Sequence, residues 1–149
     1  QTESKQTGDN ILNDLAFDFT ADHDMVARVR VRLEKSDLGK LAAQNNLKKP
    51  PRVRTGKIIT GDMPVFSKAL AAELRLKFGA DCVDMESASI AHACTLFKIP
   101  FLAIRAMSDR ADEMAFVNYL RYEKRLCGLL AGLMPDVVKE FHDISILDR

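Results

Sequence analysis

The chain has 149 residues, 47% of them hydrophobic and 29% charged, with a formal net charge of +1. This is the composition of an ordinary globular domain, and a near-neutral chain has no bulk electrostatic attraction for nucleic acid. No apolar run is long enough to span a membrane, and no secretory signal opens the chain. The three cysteines and three histidines lack disulfide or zinc-ligand spacing, which indicates free thiols, no metal and a reducing, cytoplasmic compartment.

The first predicted element is a helix that begins just after residue 20. Residues 1–18 before it are largely polar and aperiodic, so a mobile loop or a docking segment is expected there. The run Thr20-Ala21-Asp22-His23-Asp24 offers capping side chains, and apolar residues follow at helical spacing. Residues 27–34 also alternate as in a strand, but the capping signal favours a helix. Its Arg and Lys side chains indicate a solvated face rather than a basic recognition surface.

Helical patterns and short apolar runs alternate along the rest of the chain. A short helix is expected over residues 38–47, because Pro50 and Pro51 cannot continue it. The elements predicted after it are strand 53–60, helix 67–78, strand 80–85, helix 86–97, strand 99–107, and a turn at 111–114 into a long helix ending near residue 141. Gly132 and Pro135 are expected to kink or divide that last helix. This alternation predicts a layered α/β sheet.

Charged side chains stand where two of the predicted strands end. Asp84-Met85-Glu86 closes the strand at 80–85, and Ser108-Asp109 follows the strand at 99–107. Arg105 lies within the apolar pattern of that second strand, where an unpaired charge would be costly to bury. In α/β proteins, ligands bind at the carboxyl ends of strands. The two carboxylates therefore mark a candidate ligand site.

Two motifs together resemble a known family. Val83-Asp84-Met85-Glu86-Ser87-Ala88 and Ile104-Arg105-Ala106-Met107-Ser108-Asp109 resemble the signature strands of the purine nucleoside phosphorylase/nucleosidase superfamily, with the closest likeness to the methylthioadenosine/S-adenosylhomocysteine nucleosidases. The likeness runs roughly from residue 19 to 141. It implies a three-layer α/β/α fold with a mixed central sheet. Residues 19–149 would be the carboxyl-terminal part of one such domain, which would be incomplete at its N-terminal side.

The resemblance also implies roles for individual residues. Asp109 would be the acid that protonates the purine at N7, and Ser108 would orient it through a hydroxyl hydrogen bond. Glu86 would accept hydrogen bonds from the two ribose hydroxyls, Met85 would lie against the sugar, and Arg105 would brace the active-site carboxylates. The residue types alone also fit a turn or cap at 108–109, a favourable anion at a helix start and a structural ion pair. Asp84, which is Glu in many relatives, is expected to have no direct role.

The purine would be held by the segment after the strand at 53–60. Thr60-Gly61-Asp62 resembles the family's strand end, and in relatives the next residues supply an aromatic ring and a backbone hydrogen bond to the base. Here that segment is Met63-Pro64-Val65-Phe66, with Pro64 in the place of the aromatic. Val65 and Phe66 are therefore the expected purine contacts. Phe66 fits equally well as an apolar staple packed on the next element.

The expected activity is hydrolysis of the N-glycosidic bond of adenine nucleosides, with no cofactor. The alternatives are a phosphate-dependent purine nucleoside phosphorylase and a non-catalytic binding or storage relative. The resemblance further implies a homodimer and a water-activating acidic residue in an N-terminal portion, which the same gene product or another chain would supply. Neither nucleic acid nor membrane is expected as a partner.

Overall fold

The computed structural model describes residues 18–141. Its elements in chain order are helices α1 (His23–Lys35) and α2 (Leu38–Gln44), strand β1 (Ile58–Thr60), helix α3 (Lys68–Phe78), strand β2 (Cys82–Asp84), and helices α4 (Ser87–Leu96) and α5 (Ala115–Lys139). Apart from residue 18, the expected loop or docking segment lies outside the described residues. No helix in the described range is long and apolar enough to cross a membrane.

Capping residues mark the start of α1 and both ends of α3. Asp22 caps α1, where its carboxylate accepts a hydrogen bond from the backbone N–H of Met25 at 3.0 Å. Ser67 caps α3 in the same way, and Gly79 ends α3 with a φ of 65°, a left-handed conformation that suits glycine. The choice of a helix over a strand for residues 27–34 is confirmed.

The sheet of the described range consists of two short parallel strands. β1 pairs with β2 in the register Ile58↔Cys82, Ile59↔Val83 and Thr60↔Asp84. Both strands were predicted to be longer, at 53–60 and 80–85. They are short because a strand exists only where a neighbour completes its hydrogen-bond ladder. Before Ile58, the backbone N–H of Lys57 instead bonds the Asp81 side chain at 3.1 Å.

The strand predicted at 99–107 is wrong for the structure, which has no regular element there. The backbone N–H of Ile99 donates to the Cys94 carbonyl at 2.8 Å, and the Phe101 carbonyl accepts from the N–H of Asp22 at 2.9 Å. These contacts join the segment to α4 and to the start of α1, not to a strand. An apolar pattern predicts the buried face of a strand but does not provide the partner strand.

The hydrophobic core lies between α1 and α5. It is formed by buried residues at helical spacing, namely Val29, Leu33, Leu129, Leu133 and Val137. Helix α2 packs closely against α5 at Gly132, where an added Cβ would lie 2.8 Å from Cδ2 of Leu41. The last helix was expected to be kinked or divided at Gly132 and Pro135; it is not divided, because α5 runs through both residues as one helix.

Basic residues of α1 form ion pairs both within the helix and with α5. Arg30 pairs with Glu34 at 2.9 Å within α1, and Arg32 pairs with Asp136 of α5 at 2.7 Å. The hydrogen bond and charge of Arg32 lower the pKa of Asp136, although partial burial opposes this. The Arg32–Asp136 pair therefore links α1 to α5 beside the core.

Leu129→Ala tests where the core lies. Leu129 is only 2% exposed, so we expect its truncation to lower the free energy of unfolding by about 2–5 kcal/mol. Leu76→Ala is the matched control, because Leu76 is 89% exposed on α3 and its loss should change stability by less than about 0.5 kcal/mol. Urea unfolding of both variants measures the difference. Equal losses of stability in the two variants would show that the core does not lie between α1 and α5.

Asp136→Asn tests the link between α1 and α5 through pH. A carboxylate with a lowered folded-state pKa stabilises the fold above its unfolded pKa of about 3.9, and this stabilisation is lost as the pH falls through the folded-state pKa. Wild type should therefore be more stable than Asp136→Asn at pH 7, and the difference should vanish in acid. Asp24→Asn is the control, because Asp24 lies 3.8 Å from Arg28 and is mostly exposed. A gap between wild type and Asp136→Asn that does not change with pH would contradict this assignment.

Candidate functional site

Asp84, the last residue of β2, lies at the centre of the candidate site. One carboxylate oxygen accepts hydrogen bonds from the Thr60 hydroxyl at 2.7 Å and from the Ser87 N–H at 3.2 Å. The other oxygen accepts from the Ser87 hydroxyl and lies 2.7 Å from Nη2 of Arg105. Both oxygens are thus engaged, and the side chain is only 9% exposed. Asp84 is a fixed, largely buried anion at the carboxyl end of the sheet.

The surroundings of Asp84 favour its charged form. Burial alone would raise its pKa, but the hydrogen bonds from Ser87 and Thr60 and the charge of Arg105 outweigh burial, so the pKa lies below its usual value. Burial and the charge of Asp84 raise the pKa of the neighbouring Cys82 thiol. Cys82 is therefore a neutral thiol near pH 7 and not an activated nucleophile.

Arg105 connects the segment after α4 to the end of β2. Its Nη2 also donates to the Ser87 hydroxyl at 3.1 Å and to Oε2 of Glu86 at 3.2 Å. One guanidinium group therefore contacts Asp84, Ser87 and Glu86. The structure places Arg105 beside Glu86, as the sequence analysis expected, but its shortest contact is with Asp84.

Glu86 occupies the cap position of α4, yet it makes no side-chain capping bond. Its side chain is 61% exposed, and among residues 18–141 its hydrogen-bond donor is Arg105. A carboxylate tethered through one oxygen at a helix start leaves its other oxygen open to a ligand. Met85, next to it, is also exposed.

Ser108 and Asp109 form a local hydrogen-bonded pair. The Ser108 hydroxyl donates to Oδ2 of Asp109 at 2.6 Å, and Oδ1 of Asp109 accepts from the Ala111 N–H at 2.8 Å. The first contact is the one expected for orienting an acid. The second is the turn contact that the alternative interpretation expected. Asp109 lies four positions after Arg105 in the sequence, so their Cα atoms lie within about 14 Å of each other.

The expected purine contacts lie beside the start of α5. Val65 is buried, while Phe66 is half exposed and meets Phe116 edge-on, with ring centroids 6.3 Å apart. The Lys68 N–H at the start of α3 donates to Glu113 at 3.3 Å. The 65–68 segment is therefore adjacent to the loop that follows Asp109. Phe66 packs on α5 and keeps part of its ring open.

The central position of Asp84 in the site was not predicted from the sequence. Two local signals were present: a carboxylate three residues before Ser87, which is a capping spacing, and a threonine at the end of the neighbouring strand. The contact with Arg105 spans 21 positions and depends on tertiary structure. Within the described residues, no cluster of three or more His, Cys, Asp or Glu side chains could hold a metal ion.

Comparison with known proteins shows what this arrangement resembles. A family model described as the phosphorylase superfamily matches residues 3–131. The 5'-methylthioadenosine/S-adenosylhomocysteine nucleosidase of Geobacillus sp. is 40% identical over 103 residues, which are 68% of this chain and 44% of that protein. The aminodeoxyfutalosine nucleosidase of Campylobacter jejuni is 41% identical over 68 residues, 46% of this chain and 30% of that protein.

Solved structures agree with the sequence match. The 5'-methylthioadenosine/S-adenosylhomocysteine nucleosidase of Neisseria meningitidis, in complex with methylthio-immucillin-A, has a TM-score of 0.64 at 31% identity, covering 81% of this chain and 48% of that one. The chain thus spans less than half the length of these relatives. The described residues have a nucleoside phosphorylase-like fold. They include two parallel strands of its sheet. The chain belongs to the phosphorylase superfamily.

Proposed function

We propose that the protein hydrolyses the N-glycosidic bond of adenine nucleosides of the methylthioadenosine/S-adenosylhomocysteine type, releasing adenine and a ribose derivative. The observation that carries the proposal is the guanidinium of Arg105, which joins the exposed Glu86 to the buried Asp84 at the end of β2. The activities named for the relatives support the same reaction.

Glu86 would bind the sugar. Arg105 holds Oε2 at 3.2 Å, and the exposed remainder of the carboxylate is free to accept hydrogen bonds from the ribose hydroxyls. The negative charge would also stabilise the positive charge that develops on the ribose as the bond to the base breaks. Met85, exposed on the same turn, would lie against the sugar.

Asp109 would protonate the leaving base at N7. Its carboxyl plane is fixed at both oxygens by the Ser108 hydroxyl and the Ala111 N–H. Such orientation matters because proton transfer needs the donor within hydrogen-bond distance of the accepting atom. Val65 and Phe66 would contact the purine, Val65 through its backbone and Phe66 through the exposed part of its ring.

The nucleophile would be water. We assign the residue that activates it to polypeptide beyond residues 1–149, because the part of this chain that matches the relatives covers less than half of each of them. The same gene product or another chain would supply that part, and the assembly would be a homodimer. Free cysteines within the described residues fit a cytoplasmic location.

The dependence on phosphate distinguishes hydrolysis from phosphorolysis. The intact gene product that contains this chain is incubated with methylthioadenosine, with and without inorganic phosphate, and adenine and the sugar product are measured. We expect adenine release without phosphate. Release only with phosphate would establish a phosphorylase instead, and neither turnover nor binding would indicate a non-catalytic relative.

Asp109→Asn tests the assigned acid. We expect turnover to fall by about 10²–10⁴-fold, because an amide cannot supply the proton, while nucleoside binding is retained. Asp112→Asn is the matched control, because Asp112 lies in the same loop and also accepts a backbone N–H, that of Met114 at 3.0 Å. If both variants lost activity equally, loop conformation and not proton donation would explain the effect.

A further inference from the structure

Few contacts fix the side chain of Glu86 within the described residues. It is 61% exposed, forms no cap on α4, and within residues 18–141 takes its hydrogen bond from Arg105. An exposed carboxylate on a flexible stem gains little from an ion pair in water, because side-chain entropy and screening offset the attraction. The position of Glu86 therefore depends on how firmly Arg105 itself is held.

Arg105 is held from the buried side of the site. Its segment is not hydrogen-bonded into the described sheet, so side-chain contacts must fix the guanidinium. Asp84 lies 2.7 Å from Nη2 and is only 9% exposed, which makes this attraction far less screened than the one to Glu86. The Ser87 hydroxyl supports the pair, since it donates to Asp84 and accepts from Arg105.

Asp84, at the end of β2, is in turn fixed by contacts from two other elements. Thr60 of β1 donates to it from the neighbouring strand, and the same Thr60 oxygen accepts from the Ala88 N–H at 3.0 Å. The Ser87 N–H donates to it from the start of α4. Asp84 is thus the point at which β1, β2 and α4 meet.

We propose that Asp84 is a positioning residue for sugar binding: through Arg105, it fixes Glu86 in the orientation that accepts the ribose hydroxyls. This role rests on the proposed function. It adds to that function a residue that touches neither sugar nor base, and it predicts energetic coupling between positions 84 and 86.

Asp84→Asn is the informative substitution, because it keeps the shape and removes the charge. One oxygen of Asp84 faces the Ser87 N–H and the other faces Arg105, so the new amide would turn an N–H toward a donor in either orientation. The guanidinium would lose its buried partner. Asp84→Glu keeps the negative charge, so its KM should be closer to the wild-type value than that of Asp84→Asn.

The test uses the intact gene product that contains this chain, with methylthioadenosine as substrate. Asp84→Asn should raise KM about 10- to 100-fold, which matches the loss of a charge-assisted contact at the sugar. Asp81→Asn is the matched control, because Asp81 lies just before the opposite end of β2, is exposed, and should leave KM unchanged. Circular dichroism establishes that each variant is folded.

A double-mutant cycle separates positioning from general destabilisation. In a Glu86→Gln background, Asp84→Asn should change KM less than about twofold, because the group that it positions is already altered. Multiplicative effects of the two substitutions would overturn the proposal, as would an unchanged KM in Asp84→Asn. If Asp84→Asn does not fold, Ser87→Ala provides the same comparison with a smaller expected rise in KM. Multiplicative effects of Ser87→Ala and Glu86→Gln on KM would likewise overturn the proposal. Absence of adenine release by the wild type would instead overturn the proposed function, and this role with it.

Discussion

The ion pair between Asp84 and Arg105 is the constraint on which the described site depends. Moving two charges out of water is costly, and attraction offsets that cost only where geometry is good and the remaining polar atoms are satisfied. Asp84 meets this condition through Thr60 and Ser87. Because those residues belong to β1 and to the start of α4, the ion pair cannot shift without disturbing the only strand pairing found within residues 18–141. The fold and the site are therefore stabilised by the same few contacts.

This arrangement separates two carboxylates that are close in sequence into different environments. Asp84 is buried and satisfied, while Glu86, two residues later, is exposed and tethered through one oxygen. The change occurs because β2 ends at Asp84 and α4 begins at Ser87, so Asp84 belongs to the sheet while Glu86 lies at the exposed start of the helix. One carboxylate can then serve structure while the other remains available to a ligand.

The sequence predicted those parts of the fold that short-range chemistry determines. The helix start near residue 22 and the helix at 67–78 were predicted correctly, because the caps observed at Asp22, Ser67 and Gly79 depend on neighbours within a few residues. The strand at 99–107 was wrong, because strand formation needs a partner that no local pattern can supply. The strand predicted at 53–60 forms only at Ile58–Thr60 for the same reason. The two family motifs together pointed to Glu86 and Asp109 as candidate site residues. The central position of Asp84 was not predicted, because it depends on the pairing of β1 with β2 and on an arginine 21 positions away.

The charge balance of the cluster gives a physical reason for an arginine in an apolar segment. Asp84, Glu86 and Arg105 together carry a formal charge of −1. Without Arg105, the two neighbouring carboxylates would repel each other. Arg105 contacts both of them and offsets this repulsion, while the exposed side chain of Glu86 faces outward. In the proposed reaction, a single anion fixed in advance would suit a ribose with developing positive charge, because no reorganisation would be needed as the bond breaks. The guanidinium would then keep two like charges together so that one of them could act on the sugar.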